Sequence, residues 1–153
     1  MQYKDYKKAL KAIEKKYDSE INKLQSDIDD VRLLRDLRQI SDKEAWDREM
    51  KLAEILDQVK NKGKRSIERL KMNFVRQNAP AKIGDIIWTT SKVMRVTDVR
   101  LAAFEYPMIK YFGLQLTTRG IPCKVQKEYP LGGIYQKDII SVNGEPYIYK
   151  QQD

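Results

Sequence analysis

One cysteine, Cys123, and no histidine stand in a chain of 153 residues. That pairing removes most of the chemistry side chains perform unaided. Cys–His and Ser–His arrangements need an imidazole to take the nucleophile's proton and are excluded, while activation by a lysine is left open. An intrachain disulfide and the common zinc sites are excluded with them. Cys123 beside Lys124 offers a reactive thiol, but a small apolar residue in a strand is the simpler reading. Gly132-Gly133 lacks the following Lys of a phosphate-cradling loop and reads as a turn. Asp85, Asp98, Glu105, Glu128, Asp138 and Glu145 are scattered, without the pairing that a two-carboxylate mechanism or a magnesium site requires; Asp85 and Asp138 read as turn or strand-end residues. Asp27, Asp29 and Asp30 are followed by Arg32 and Arg35, which makes a solvated, salt-bridged helix face. Nothing here calls for a catalytic residue, a cofactor, a metal or a small-molecule substrate.

Binding chemistry is better represented. The chain carries 30 basic and 22 acidic residues, a net charge of +8 that suits an anionic partner. Two patterns could carry such binding. Lys4, Lys8, Lys11, Lys64, Arg65 and Arg69 form basic runs near the two ends of the first half. In the second half Tyr106, Tyr111, Phe112, Tyr129, Tyr135, Tyr147 and Tyr149 interleave with Arg95, Arg100, Lys110, Arg119, Lys124 and Lys127, as on a nucleic-acid stacking face. The plain alternatives are a solvated helix surface for the first and a small core filled by tyrosines for the second.

Two unlike halves must position these residues. Residues 1–79 hold a single Gly and no Pro, whereas all five Pro and the other six Gly follow. Tyr3, Tyr6, Leu10, Ile13, Tyr17, Leu24, Val31 and Leu34 recur at steps of three, four or seven residues, with Ile21 and Ile28 beside the same stripe, which predicts a helix over about residues 2–40. Ser41 followed three residues later by Glu44 is the capping-box signature of a new helix, expected over about 42–77. Its stripe is Trp46, Met50, Ala53, Leu56, Val59, Gly63, Ile67, Leu70 and Phe74, and Asn78-Ala79-Pro80 stops it. Gly63 marks either a kink or a close helix contact. A link this short between helices of matched length predicts an antiparallel hairpin.

Antiparallel pairing sorts the charge. Residues 1–16 carry six basic and two acidic side chains and residues 60–76 seven and one, whereas residues 17–59 carry seven basic and twelve acidic. The hairpin is therefore expected to have a basic base, next to the β domain, and an acidic tip. Two helices make a thin layer with open sides, so oligomerisation or docking on a larger protein is expected. Leu10, Ile13, Leu24, Trp46, Leu56, Ile67 and Leu70 are the expected interaction seam.

Residues 79–153 read as short strands separated by turns: 83–89, 93–97, 101–106, 109–116 and 123–125, with turns at 119–122 and 130–133. Asn143-Gly144 between Ile140-Ser141-Val142 and Tyr147-Ile148-Tyr149 is two-residue hairpin chemistry. So many short strands fit a small closed barrel.

The opening Lys82-Ile83-Gly84-Asp85-Ile86-Ile87, the late Ile134-Tyr135-Gln136-Lys137-Asp138-Ile139-Ile140 and the last short strand resemble SH3-like small barrels, where a tight helical turn precedes the final strand. The whole arrangement is also similar to small uncharacterised proteins of gut bacteria and their tailed phages. These likenesses imply binding to peptides, nucleic acid or larger assemblies, and bring no catalytic residues. The fold class expected is thus α+β: a long antiparallel helical hairpin, as in a coiled coil, over residues 1–78, then an SH3-like small β-barrel. The function expected is that of a non-enzymatic structural or adaptor protein, a homo-oligomer or part of a larger assembly such as a phage particle. Its alternative is a nucleic-acid-binding accessory protein using the basic base. With no signal-peptide segment and no long apolar run, the expected setting is cytoplasmic, or the virion if phage-encoded, with no membrane partner.

Overall fold

The computed structural model describes residues 1–102, 108–123 and 133–149. The chain divides into two compact units, one of Lys4–Leu70 and one of Met1–Tyr3 with Lys71–Asp153. It is α+β: two long helices, then an antiparallel sheet.

Helices α1 (Tyr3–Asp36) and α2 (Asp42–Asn78) form the hairpin. Their antiparallel course is fixed by cross-contacts that run in opposite sequence directions: Tyr17 meets Ser66, and Arg32 and Arg35 meet Glu49. The turn is built by its own backbone. α1 stops at Asp36, short of the expected end near Ile40, because Arg38 takes a left-handed φ of 55°. The Gln39 amide then reaches Leu34 O at 2.9 Å and the Arg38 amide reaches Arg35 O at 2.8 Å. This bond pair is the Schellman closure, which satisfies carbonyls that a helix end leaves open. Ser41 restarts the chain as expected: its Oγ accepts the Glu44 amide at 3.2 Å, and Ala45 N donates to Ser41 O at 2.9 Å. The second half of the capping box is diverted, since the Glu44 carboxylate takes the Arg48 guanidinium at 2.6 Å.

The inner seam of α2 departs from expectation over its first turns. Trp46, Met50 and Ala53 face solvent, and Ala45, Glu49 and Leu52 hold the inner line before it joins Leu56, Val59 and Gly63. The cause is the close approach of α1 near the turn. Ala45 is 1% exposed, where an indole would not fit, and half-buried Glu49 receives Arg32 at 3.2 Å and Arg35 at 3.7 Å.

Gly63 is a close contact within an unbroken helix. A Cβ there would lie 3.1 Å from Tyr17 Cγ. The Ser66 hydroxyl donates to Lys62 O at 2.9 Å, so the Tyr17 hydroxyl, 3.1 Å from Ser66 Oγ, is the donor of that bond. The Tyr17 side chain is thereby held against the glycine.

In the other unit, strands β1 (Ile86–Trp88), β2 (Val93–Ala102), β3 (Met108–Leu116), β4 (Ile134–Tyr135), β5 (Ser141–Val142) and β6 (Glu145–Pro146) pair antiparallel in the order β4-β3-β2-β1-β5-β6. The sheet is open, and no pairing among the described residues joins β4 to β6, so the expected barrel closure is absent from it. Closure needs strands long enough to tilt and stagger around an axis, and β4, β5 and β6 are two residues each. Shortness, and Pro146 on the last strand, blunt both edges instead.

The strand pattern differs from the expected one in three places. Residues 83–85 form a turn before β1, with Gly84 N on Val96 O. Residues 93–102 are one strand, continued through a bulge at Thr97 that shifts register between Val96 and Asp98. The Asn143-Gly144 turn is present, with φ of 51° and 86°, but its second strand is Glu145–Pro146, and Tyr147–Tyr149 lie beyond it. A tight helical turn, Gln136–Asp138, does precede β5. The expected strand and turn residues at 103–107 and 124–132 lie outside the described residues, whereas Cys123 N bonds Gln115 O at 3.2 Å.

Alternation along β2 and β3 sends Met94, Val96, Ile109 and Tyr111 to one face, where Ile87, Ile134 and Ile139 meet Val75, from the end of α2, and Ala81. Gly113 lets the two paired strands approach closely. A Cβ there would stand 2.0 Å from Arg95 O, so no other residue fits without moving backbone.

Gly63→Ala should show the helix contact directly. In the native chain the gain of about 1 kcal/mol in helix propensity is offset by crowding against Tyr17, and stability stays nearly unchanged. In a Tyr17→Ala background the same change should stabilise by about 1 kcal/mol in urea melts, a coupling that a distant pair would not give.

Candidate interaction surfaces

The expected seam residues divide by position. Leu56 and Leu70 are buried, Leu10, Ile13, Leu24 and Ile67 are half-buried, and Trp46 is 67% exposed. All but Trp46 serve the contact of α1 with α2, so Leu56→Ala or Leu24→Ala would test the hairpin's own stability before any assembly. Trp46 and Met50, the latter 46% exposed, lie one helical position off the seam with exposed Ala53, at i, i+4 and i+7 on the flank of α2. Large apolar side chains presented to water in such a row are the feature that a partner surface would cover.

Lys4, Lys8, Lys11, Lys64, Arg65 and Arg69 are all exposed. They lie in the terminal turns of the hairpin unit, and antiparallel pairing brings both runs to one end of it. The acidic stretch near the turn is laced with cations, as expected for a solvated face: Arg32 also meets Asp29 at 3.4 Å, and Arg35 meets Asp36 at 3.2 Å.

On the sheet, the aromatic set splits by face. Tyr111 is fully buried, its hydroxyl accepting the Ala81 amide at 3.5 Å, and burial pushes its phenol well above the ordinary value. Tyr147 is half-buried and accepts Gln136 Nε2 at 2.7 Å. Phe112 and Tyr135 point to the opposite side. There Arg100 sits 5.2 Å and Lys110 5.4 Å from the Phe112 ring, and Lys110 lies 5.0 Å from Tyr135. These cations cover the ring faces that a base would stack on, and Asp98 holds Arg100 at 2.5 Å. Arg95 is exposed on the same face, Arg119 is exposed in the turn after β3, and Tyr149 is 37% exposed. Tyr106, Tyr129, Lys124 and Lys127 lie outside the described residues.

A shallow groove of about 360 Å³ runs between the β1–β2 turn and the end of β3, lined by Thr89, Lys92, Gln115, Thr117, Thr118 and Cys123 among others. Its hydroxyls serve the turns: Thr89 Oγ1 accepts the Lys92 amide at 3.0 Å and Thr117 Oγ1 that of Ile121 at 3.2 Å. Among the described residues no group of three His, Cys, Asp or Glu is placed to hold a metal, and no helix is long and apolar enough to cross a membrane.

Asp85 has a structural task that its sequence position suggested only as a turn. Asn143 Nδ2 donates to its Oδ1 at 3.0 Å and the Lys82 amide to its Oδ2 at 2.7 Å, while Asn143 Oδ1 accepts the Ile86 amide at 2.8 Å. The carboxylate thus ties the entry to β1 to the β5–β6 turn. The Asn143 bond first, then the Lys82 amide, hold its pKa below the ordinary 3.8.

No family model, no curated protein and no solved structure matches the chain.

Because Asp85 is more acidic when folded, its contribution to stability is full above pH 3.8 and is lost as pH falls through the lower folded value. Asp85→Ala should therefore cost about 1 kcal/mol at neutral pH, and the gap from wild type should narrow in melts below that value. A gap independent of pH would place the loss in packing, apart from the charge.

Proposed function

We propose that the chain is a non-enzymatic structural or adaptor protein that oligomerises, or docks into a larger assembly, through its helical hairpin. The sheet unit, read as SH3-like from its helical turn before β5, offers a second surface to a partner. A phage particle is the setting that the sequence resemblance implies. The observation that carries this reading is the exposed row Trp46, Met50 and Ala53 on a hairpin whose inner seam is already occupied. An indole exposed in this way costs free energy in water that covering it recovers, and Trp is among the residues most enriched where partners bind.

A second reading, binding of nucleic acid, is favoured by the exposed basic run at the other end of the hairpin. Its signature is a steep fall of affinity with salt.

Light scattering with absorbance detection separates the two. The purified chain should have a defined mass above that of one copy, free of nucleic acid, and Trp46→Ala with Met50→Ala should lower that mass. A single-copy mass with nucleic acid released by salt would install the second reading.

A further inference from the structure

The row on the flank of α2 continues beyond Ala53. Trp46, Met50, Ala53, Asp57, Lys60 and Lys64 follow one another at alternating four- and three-residue steps, and every one of them is exposed. This is a heptad line parallel to the inner seam, apolar at the turn end and cationic at the other. Folded back on itself about Ile55, the line is complementary to its own reverse. Trp46 falls opposite Lys64, Met50 opposite Lys60, and Ala53 opposite Asp57.

We propose, on the basis of the assembly reading above, that this line is an isologous interface and that its occupant is a second copy of the chain, with the two α2 helices antiparallel. Each pairing has a physical rationale. The Lys64 ammonium meets the Trp46 ring as a cation–π contact, and the Lys60 stem covers Met50 while its charge stays in water. The small Ala53 lets the helices approach opposite Asp57. Flanking charge points the same way. On α2, residues 42–54 carry five acidic against three basic side chains and residues 56–68 four basic against two acidic. Antiparallel pairing sets acidic against basic at both ends at once, whereas parallel pairing would stack like on like. A two-fold interface satisfies both ends with one surface, which an unrelated cationic partner would not.

A charge exchange tests the arrangement. One variant carries Asp47→Lys, Glu54→Lys and Asp57→Lys; the other carries Lys60→Glu, Lys64→Glu and Arg65→Glu. All six positions are exposed, and circular dichroism should show unchanged helicity. In analytical ultracentrifugation each variant alone should dissociate at least tenfold more readily than wild type. An equimolar mixture should recover most of the association, since each reversed segment then meets its opposite and one of the two Lys64–Trp46 contacts is kept. If wild type self-associates and both reversed variants do so equally well, the antiparallel interface is overturned while hairpin assembly stands. If wild type is a single copy at every concentration and salt, both the interface and the homo-oligomer fall together.

Discussion

Two helices packed side by side can each bury only one stripe, and that limit governs the hairpin unit. The inner line of Leu56, Gly63 and Leu70 on α2 meets Tyr6, Tyr17, Ile28 and Val31 of α1, and the remaining surface must be stable in water by other means. Most of it is charged, with ion pairs that individually contribute little. The apolar exceptions are Trp46 and Met50 on the flank of α2, together with Leu33, Leu37 and Ile55. The close approach of helices that excludes the indole from the seam, with Ala45 in its place, is therefore also what puts it on the surface. Local packing and the proposed partner surface have one cause.

The sheet unit is governed by close approach as well. Gly113 lets β2 and β3 approach closely beside the Thr97 bulge, and their alternation gathers Met94, Val96, Ile109 and Tyr111 into one core while Phe112, Lys110 and Arg100 remain outside. Tyr111 shows how a polar handle is tolerated in such a core, since its hydroxyl meets the Ala81 amide. With β4, β5 and β6 so short, the Asp85–Asn143 bond supplements few ladder bonds in holding the last hairpin to β1.

Features with a local chemical cause were legible in the sequence. Ser41 announced the start of α2, Pro80 its end, and Asn143-Gly144 the last hairpin turn. Features that depend on distance between elements were not. The end of α1 rests on Arg38 in a left-handed conformation that sequence signals assign to Gly or Asn. Trp46 suited the stripe by spacing, and only the closeness of α1 reveals that Ala45 must take the position. Gly63 by spacing alone is compatible with a kink or a contact, and the position of Tyr17 beside it decides for contact. Among the described residues the sheet stays open, because strand length, unlike strand existence, is poorly marked by composition. The row that continues to Asp57, Lys60 and Lys64 was hidden by its own charges, since apolar periodicity cannot follow a line that changes from apolar to ionic halfway.

The central claim is that Trp46 is exposed in the single copy and covered in the assembly. In a Trp88→Phe variant Trp46 is the only indole, because the chain has two tryptophans. Its emission should be that of a water-exposed indole at high dilution and should shift to shorter wavelength as concentration rises, in step with the increase in mass. Emission that stays at the water-exposed position while the mass rises would contradict the account, because assembly would then use another surface.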